Sequence, residues 1–113
     1  MVVLEDGGEL RSGSIRVRSS GFNLGLMQNY PNPFNPTTRI EFSLPERSHV
    51  SIVVYDPAGR RVATLVDEMR PAGTGNVRWD GRNAAGNPVS SGVYFYRMTT
   101  GKTVLTKKMI LLK

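Results

Sequence analysis

The side chains that could form a hydrolytic site are two adjacent serines, Ser90 and Ser91, the single histidine, His49, and the carboxylate of Asp80. A serine nucleophile needs a histidine base within hydrogen-bonding distance, and in many hydrolases it stands on a sharp strand-to-helix turn. Neither serine lies in such a turn sequence, because both precede Gly92 at the apparent end of a turn. We therefore expect no catalytic residue and no enzymatic activity.

The stretch from Asp80 to Asn87 resembles a calcium-binding loop at first sight. An EF-hand loop needs oxygen ligands at alternate positions and a distant bidentate glutamate, whereas Arg82 and Ala84 occupy two ligand positions here. Turn chemistry is therefore favoured, in which Asp and Asn side chains accept hydrogen bonds from nearby amides. With no cysteine and one histidine, the chain also lacks the ligands of a Cys-type zinc site or a multi-histidine site. We expect no metal and no cofactor.

Composition indicates one small folded domain. The chain has 113 residues, of which 29 are Leu, Ile, Val or Phe, and no apolar run approaches the ~20 residues that span a bilayer. The net charge of +6 is uneven, since residues 1–56 sum to −1 and residues 57–113 to +7. The basic residues are scattered and match no nucleic-acid motif, so we expect neither nucleic-acid binding nor membrane insertion. Residues 1–25, rich in Gly and Ser, are interpreted as a linker or the end of an upstream domain, with strand-like alternation over residues 13–18.

The elements that would position any site are short strands. From residue 37 the apolar side chains alternate with polar ones, which is typical of half-buried strands. The alternating residues are Ile40, Phe42 and Leu44 in one strand and Val50, Ile52 and Val54 in the next. Further strands are predicted over residues 60–66, 76–80, 92–99 and 103–112, with a type I turn at 56–59 and a Pro/Gly loop at 69–75. This pattern predicts an all-β, immunoglobulin-like antiparallel β-sandwich of about seven strands over residues 26–113, with Trp79 in its core and no disulfide.

The sequence does not decide which face of the strand predicted over residues 92–99 is turned to the core. Tyr94 and Tyr96 share one face, opposite Val93 and Phe95. A tyrosine pair on an exposed sheet face could bind a sugar, but the favoured interpretation is that both rings pack under the proline-rich segment or form the cover of the second sheet.

A proline-rich segment precedes the first clear strand. Three prolines in six residues, Pro31, Pro33 and Pro36, predict an extended, polyproline-like path without ladder donors. Tyr30 and Phe34 are expected to anchor this path at the sandwich edge, where prolines prevent the addition of further strands.

This segment resembles the opening of the type A C-terminal sorting domains of the type IX (Por) secretion system. The resemblance continues in matching order through residues 37–45, 54–62, 79–83, 86–96 and 107–113. The Trp-Asp-Gly and Ser-Gly-Val-Tyr elements are also similar to the immunoglobulin-like domain of flagellar hook-capping proteins. The motif residues are Asn29, Tyr30, Pro31, Asn32, Pro33, Phe34, Asn35, Pro36, Trp79, Asp80, Gly81, Ser91, Gly92 and Tyr94.

The resemblance implies targeting. Sorting domains are read in the periplasm by the type IX outer-membrane translocon and its shuttle proteins, which deliver an upstream passenger to the cell surface or the medium. The sorting signal would then lie in Lys107, Lys108, Met109, Ile110, Leu111, Leu112 and Lys113. A terminal edge strand can pair with a receptor strand through its backbone, or with a second copy, so we expect a monomer or a weak dimer. Two alternatives stay open: a carbohydrate-binding or adhesive accessory module, and a structural assembly domain like that of the hook cap.

Overall fold

The computed structural model describes residues 23–113. The strand-like stretch over residues 13–18 and most of the expected linker lie outside the described residues. Seven strands follow in chain order: β1 (Gly25–Leu26), β2 (Thr38–Leu44), β3 (Ser48–Tyr55), β4 (Arg61–Arg70), β5 (Gly73–Trp79), β6 (Gly92–Thr100) and β7 (Thr103–Leu111).

The strands form two antiparallel sheets. One has three strands in the order β1-β2-β5 and the other has four in the order β4-β3-β6-β7. β4 and β7 are therefore the two edge strands of the larger sheet. The predicted immunoglobulin-like sandwich of seven strands is confirmed.

The core lies between the sheets and uses the faces that alternation predicted. Ile40, Phe42 and Leu44 of β2 are at most 1% exposed, and Val50, Ile52 and Val54 of β3 are fully buried. Trp79, at the end of β5, is buried among them as expected. Removing each large apolar side chain from water contributes roughly 1.5–3 kcal/mol, so the shared core is the main stabilising feature.

The predicted Pro/Gly loop over residues 69–75 is wrong. β4 continues to Arg70 and β5 begins at Gly73, so only two residues join them. Gly75 pairs with Phe42 in the β2–β5 ladder, and it is a glycine because the Phe42 ring lies over it: a Cβ at this position would stand 2.6 Å from Phe42 Cζ. Glycine inside a strand often marks such a close approach rather than a loop.

Ser43 also differs from expectation, since alternation places it on the solvent side of β2. It is buried because its Oγ donates a hydrogen bond to the carbonyl of Asn23, in the chain segment that enters β1. A pairing with a segment this distant in sequence leaves no signal in the local pattern.

The turn between β3 and β4 has the predicted chemistry. Asp56 Oδ1 accepts hydrogen bonds from the backbone N–H of Arg60 (2.9 Å) and of Ala58 (3.0 Å), and Gly59 adopts a φ of +85°. The Arg60 N–H bond, together with the Arg60 guanidinium, holds the pKa of Asp56 below its ordinary value.

Candidate functional site

The proline-rich segment is bent rather than extended. The chain bends at residues 31–33 and again at 35–36, so the predicted polyproline-like path is wrong. Phe34 is 1% exposed and anchors the segment as expected, whereas Tyr30 is 75% exposed and anchors nothing. Tyr30 is held only through its backbone, which exchanges two hydrogen bonds of 2.9 Å with Arg39.

A buried polar network fixes these bends. Asn29 donates from its side chain to Thr38 Oγ1 (2.9 Å) and to the Pro31 carbonyl (3.1 Å), and Thr38 Oγ1 also donates to that carbonyl. The backbone N–H of Asn29 donates to the Tyr96 hydroxyl (2.8 Å), which itself donates to the Met27 carbonyl (2.7 Å). Each buried polar group thus has a partner, and the path of the segment is determined by these pairs.

The bent segment runs along the outer edge of β7. Gln28 Nε2 donates to the Lys108 carbonyl (2.7 Å), and Ile110 N–H donates to Asn32 Oδ1 (3.0 Å). Phe34 N–H donates to the Ile110 carbonyl and Phe34 accepts from Leu112 N–H, both at 2.9 Å.

Ser91 completes the arrangement, because its Oγ accepts from Lys113 N–H at 3.0 Å. We call Gln28, Asn32, Phe34 and Ser91, which bond the backbone of residues 108–113, the β7 clasp. In an antiparallel pair every second residue turns its backbone groups away from the neighbouring strand. The clasp bonds four such groups, the Lys108 carbonyl, the Ile110 N–H and carbonyl and the Leu112 N–H, so backbone pairing with a receptor strand there, as expected from the sequence, would require displacement of the clasp. Beside Val104 and Thr106 no such bond is recorded within the described part of the chain.

The motif residues converge beside this clasp. The Trp79 ring lies 5.6 Å from the Phe34 ring and 5.5 Å from the Tyr94 ring, measured between centroids. Trp79 Nε1 donates to the Arg82 carbonyl at 2.9 Å. Gly81 has a φ of +75°, and a Cβ there would meet the Pro36 carbonyl oxygen at 3.2 Å. Motifs far apart in sequence therefore meet in one cluster that supports the last strand.

The residues predicted as a sorting signal divide into two sets. Met109 and Leu111 are fully buried in the core, and Lys107 and Ile110 are half-buried. The exposed set is Lys108, Leu112 and Lys113.

Tyr94 and Tyr96 do not form an exposed sugar platform. Tyr94 is 6% exposed and its hydroxyl donates to the Ser90 carbonyl at 2.6 Å, and Tyr96 is fully buried. Burial raises the pKa of Tyr96 to about 12, although the hydrogen bond from the Asn29 N–H lowers it. Both rings are buried, as the favoured interpretation required, and the Tyr96 hydroxyl lies against Met27 and Asn29 at the start of the proline-rich segment. The sequence did not show which groups the Tyr96 hydroxyl bonds, because Met27 and Asn29 lie 69 and 67 residues away.

The side chains considered for hydrolysis are not assembled into a triad. His49 Nε2 lies 2.8 Å from Asp67 Oδ1 at the surface, whereas Asp80 lies 3.6 Å from the Arg82 guanidinium. Ser91 accepts from the chain end as described. Within residues 23–113 no group of three or more His, Asp or Glu side chains is placed to hold a metal ion, and no helix there is long and apolar enough to cross a membrane.

The two sheets and the clasp define an immunoglobulin-like domain whose last strand is held by a segment from its beginning. The chain belongs to the FlgD Ig-like domain family, whose model matches residues 30–103. The match includes most of the proline-rich segment and the Trp79 cluster and ends at the start of β7. A search of curated proteins finds no match.

Similar solved structures include the following three. Dimeric latent PorU from Porphyromonas gingivalis aligns with a TM-score of 0.68 at 21% identity, over 83% of this chain and 10% of PorU. FlgD from P. aeruginosa aligns with a TM-score of 0.53 at 26% identity, over 67% of this chain and 64% of FlgD. PorZ from Porphyromonas gingivalis aligns with a TM-score of 0.51 at 23% identity, over 80% of this chain and 11% of PorZ. PorZ is an essential surface component of the type IX secretion system of that bacterium. The chain thus spans about a tenth of the length of PorU and PorZ, and these two likenesses concern the fold.

Proposed function

We propose that this domain is a non-enzymatic sorting module that directs an upstream passenger through the type IX outer-membrane translocon to the cell surface or the medium. The observation that carries the proposal is the clasp, which holds Lys108, Leu112 and Lys113 at fixed, exposed positions on the edge strand β7 and directly after it. The shared fold with PorU and PorZ is consistent with this setting. The partners would be translocon and shuttle proteins, met outside the cytoplasm.

Recognition in this proposal uses side chains. The clasp occupies the outward Lys108 carbonyl, both Ile110 groups and the Leu112 N–H, so a partner that leaves the clasp in place reads the side chains of the two lysines and Leu112. An acidic, partly apolar receptor surface complements this set, since exposed cations chiefly set association rate and specificity.

The test is a reporter protein joined to residues 26–113 behind a Sec signal, in a host with the type IX machinery. Deleting residues 107–113 is a poor test alone, because it also removes the core residues Met109 and Leu111. The sharper variant changes Lys108, Leu112 and Lys113 together to serine. Their side chains are exposed, so the fold is retained while the reporter stays in the periplasm.

The matched control changes Lys102, Val104 and Thr106, which are equally exposed on the other half of β7 and its turn, to serine. Export of the control with retention of the first variant supports the proposal. Surface display of the triple variant at the level of the unchanged domain would refute it.

A second candidate function is a structural assembly role like that of the hook cap, which the family membership favours. It predicts that the purified chain binds flagellar hook subunits in a pull-down and that the reporter fusion is not exported. Export without binding to hook subunits excludes this candidate.

A further inference from the structure

The outer face of the three-stranded sheet carries an exposed tyrosine beside two arginines. Tyr30, Arg39 and Arg78 are successive register partners across the proline-rich segment, β2 and β5. All three side chains are exposed on the face away from the core, whereas the residues next to them in the chain, Asn29, Thr38 and Trp79, are buried. With ~4.8 Å between neighbouring strands, the row spans roughly 10 Å. We call these three residues the Tyr–Arg row.

The row has an electrostatic cost in the free protein. Like charges directly opposite each other on neighbouring strands destabilise a sheet. Glu41, the acid that follows Arg39 on this face, stands opposite Asn76, and no ion pair joins Arg39 or Arg78 to any acid within residues 23–113. Two arginines at paired positions without an acidic partner complement an anionic group, which Arg binds through paired hydrogen bonds.

A hollow of about 350 Å³ lies on this face. Its walls are Tyr30, Pro31, Thr37, Arg39 and Arg78, together with Thr38. The ring and the proline offer apolar surface, Thr37 offers a hydroxyl, and the arginines offer charge.

We propose that the Tyr–Arg row binds the acidic sugar residues of a polysaccharide. One flat face of a pyranose would stack on Tyr30, whose ring is 75% exposed, because aromatic ring faces attract the positive C–H edges of a neighbouring group. The carboxylate of the sugar would lie between Arg39 and Arg78. A peptide is the less suitable occupant, because peptides that bind to sheets pair with a strand edge, whereas this hollow is bordered by a side-chain face that includes β2, the central strand.

The proposal is independent of the sorting role, because it uses none of residues 107–113. The probes are an oligomer of galacturonic acid, a neutral galactose oligomer of the same length and polyglutamate, each titrated calorimetrically into the full chain. Binding of the galacturonate oligomer that weakens with salt is expected, with no binding of the neutral oligomer.

Variants separate a specific site from general charge attraction. Tyr30→Ala should weaken binding about tenfold or more, and so should Arg39→Gln or Arg78→Gln. Either arginine change should leave the melting temperature unchanged or raise it, because it relieves the like-charge pair. Arg61→Gln removes the same charge from an exposed position on the other sheet and should leave binding unchanged.

Three results would overturn the proposal. The first is that the galacturonate oligomer does not bind. The second is that Arg61→Gln loses as much affinity as Arg39→Gln or Arg78→Gln. The third is that polyglutamate binds as tightly as the galacturonate oligomer. The last result would assign the row to an acidic polypeptide.

Discussion

Trp79 connects the proline-rich segment to β6 through its contacts with Phe34 and Tyr94. Trp79→Ala should lower the free energy of unfolding by about 3–5 kcal/mol, because it leaves a large cavity in a close-packed core. Urea denaturation followed by circular dichroism measures the loss. Trp79→Phe, which keeps an apolar ring, should cost clearly less, and an unchanged midpoint in Trp79→Ala would contradict a core role.

The Tyr96 hydroxyl has two backbone partners, the Met27 carbonyl and the Asn29 N–H. Tyr96→Phe leaves both without this partner and should cost about 1–3 kcal/mol at neutral pH. Its measurement is the same denaturation experiment, with Tyr94→Phe as a comparison in which one hydrogen bond is lost.

The raised pKa of Tyr96 also predicts a pH dependence. The folded pKa is about 12 and the ordinary value is 10, so the neutral phenol contributes stability that is complete below pH 10. This stability is lost as the pH rises from 10 through 12, by up to ~1.4 kcal/mol per pH unit. The stability difference between the unchanged protein and Tyr96→Phe should therefore shrink over this window. A constant difference would show that Tyr96 has an ordinary pKa.

Two glycines with positive φ allow a matched comparison. Gly59, at +85°, has open space around its Cβ position, whereas a Cβ on Gly81, at +75°, would meet the Pro36 carbonyl oxygen at 3.2 Å. Gly59→Ala should cost about 1–2 kcal/mol from the backbone conformation alone. Gly81→Ala should lower the free energy of unfolding by more, since its Cβ also displaces the Pro36 carbonyl beside the clasp. Equal melting temperatures in the two variants would show that the close approach is unimportant.

At the scale of elements, the clasp predicts local order at the end of β7. Asn32→Ala removes the acceptor of the Ile110 N–H and should accelerate amide hydrogen exchange at Ile110, with a stability loss of about 1 kcal/mol. Asn35→Ala, at an exposed position three residues on, is the control and should change neither. Unchanged exchange at Ile110 in Asn32→Ala would show that the other clasp residues suffice.

The strands that the sequence predicts well are those with one buried face and one solvent-exposed face. In β2 and β3 the side chains alternate because one sheet face is buried, and the turn at Asp56 has a local chemical cause. The two-residue connection from β4 in one sheet to β5 in the other could not be predicted, because Gly75 is required by the Phe42 ring, which is distant in sequence.

The site was less predictable than the fold. The motif residues could be named from the sequence. The sequence gives Tyr30 and Phe34 the same expected role as anchors, whereas in the structure Tyr30 is exposed and Phe34 is buried. Their difference depends on β7, some 75 residues away, whose backbone bonds Phe34 and leaves the Tyr30 ring in solvent. Contacts between the two ends of a domain leave no periodicity that a local pattern could show.

At the scale of the whole molecule, the last residues are a structural requirement. Met109 and Leu111 are fully buried, and the clasp bonds the backbone around them. A chain that ends at residue 106 should therefore lose its sheet signal in circular dichroism rather than fray at one end. Retention of a cooperative thermal transition in the truncated chain would contradict this view of β7.

Trp79 is the only tryptophan in the chain, and its indole lies against Phe34 of the clasp. Its emission therefore comes from a single, dry environment that the proline-rich segment helps to enclose. Any event that lifts this segment from the sandwich would admit water to the indole and shift the emission to longer wavelength. The domain thus contains its own optical probe, and release of the clasp can be followed in real time without a label.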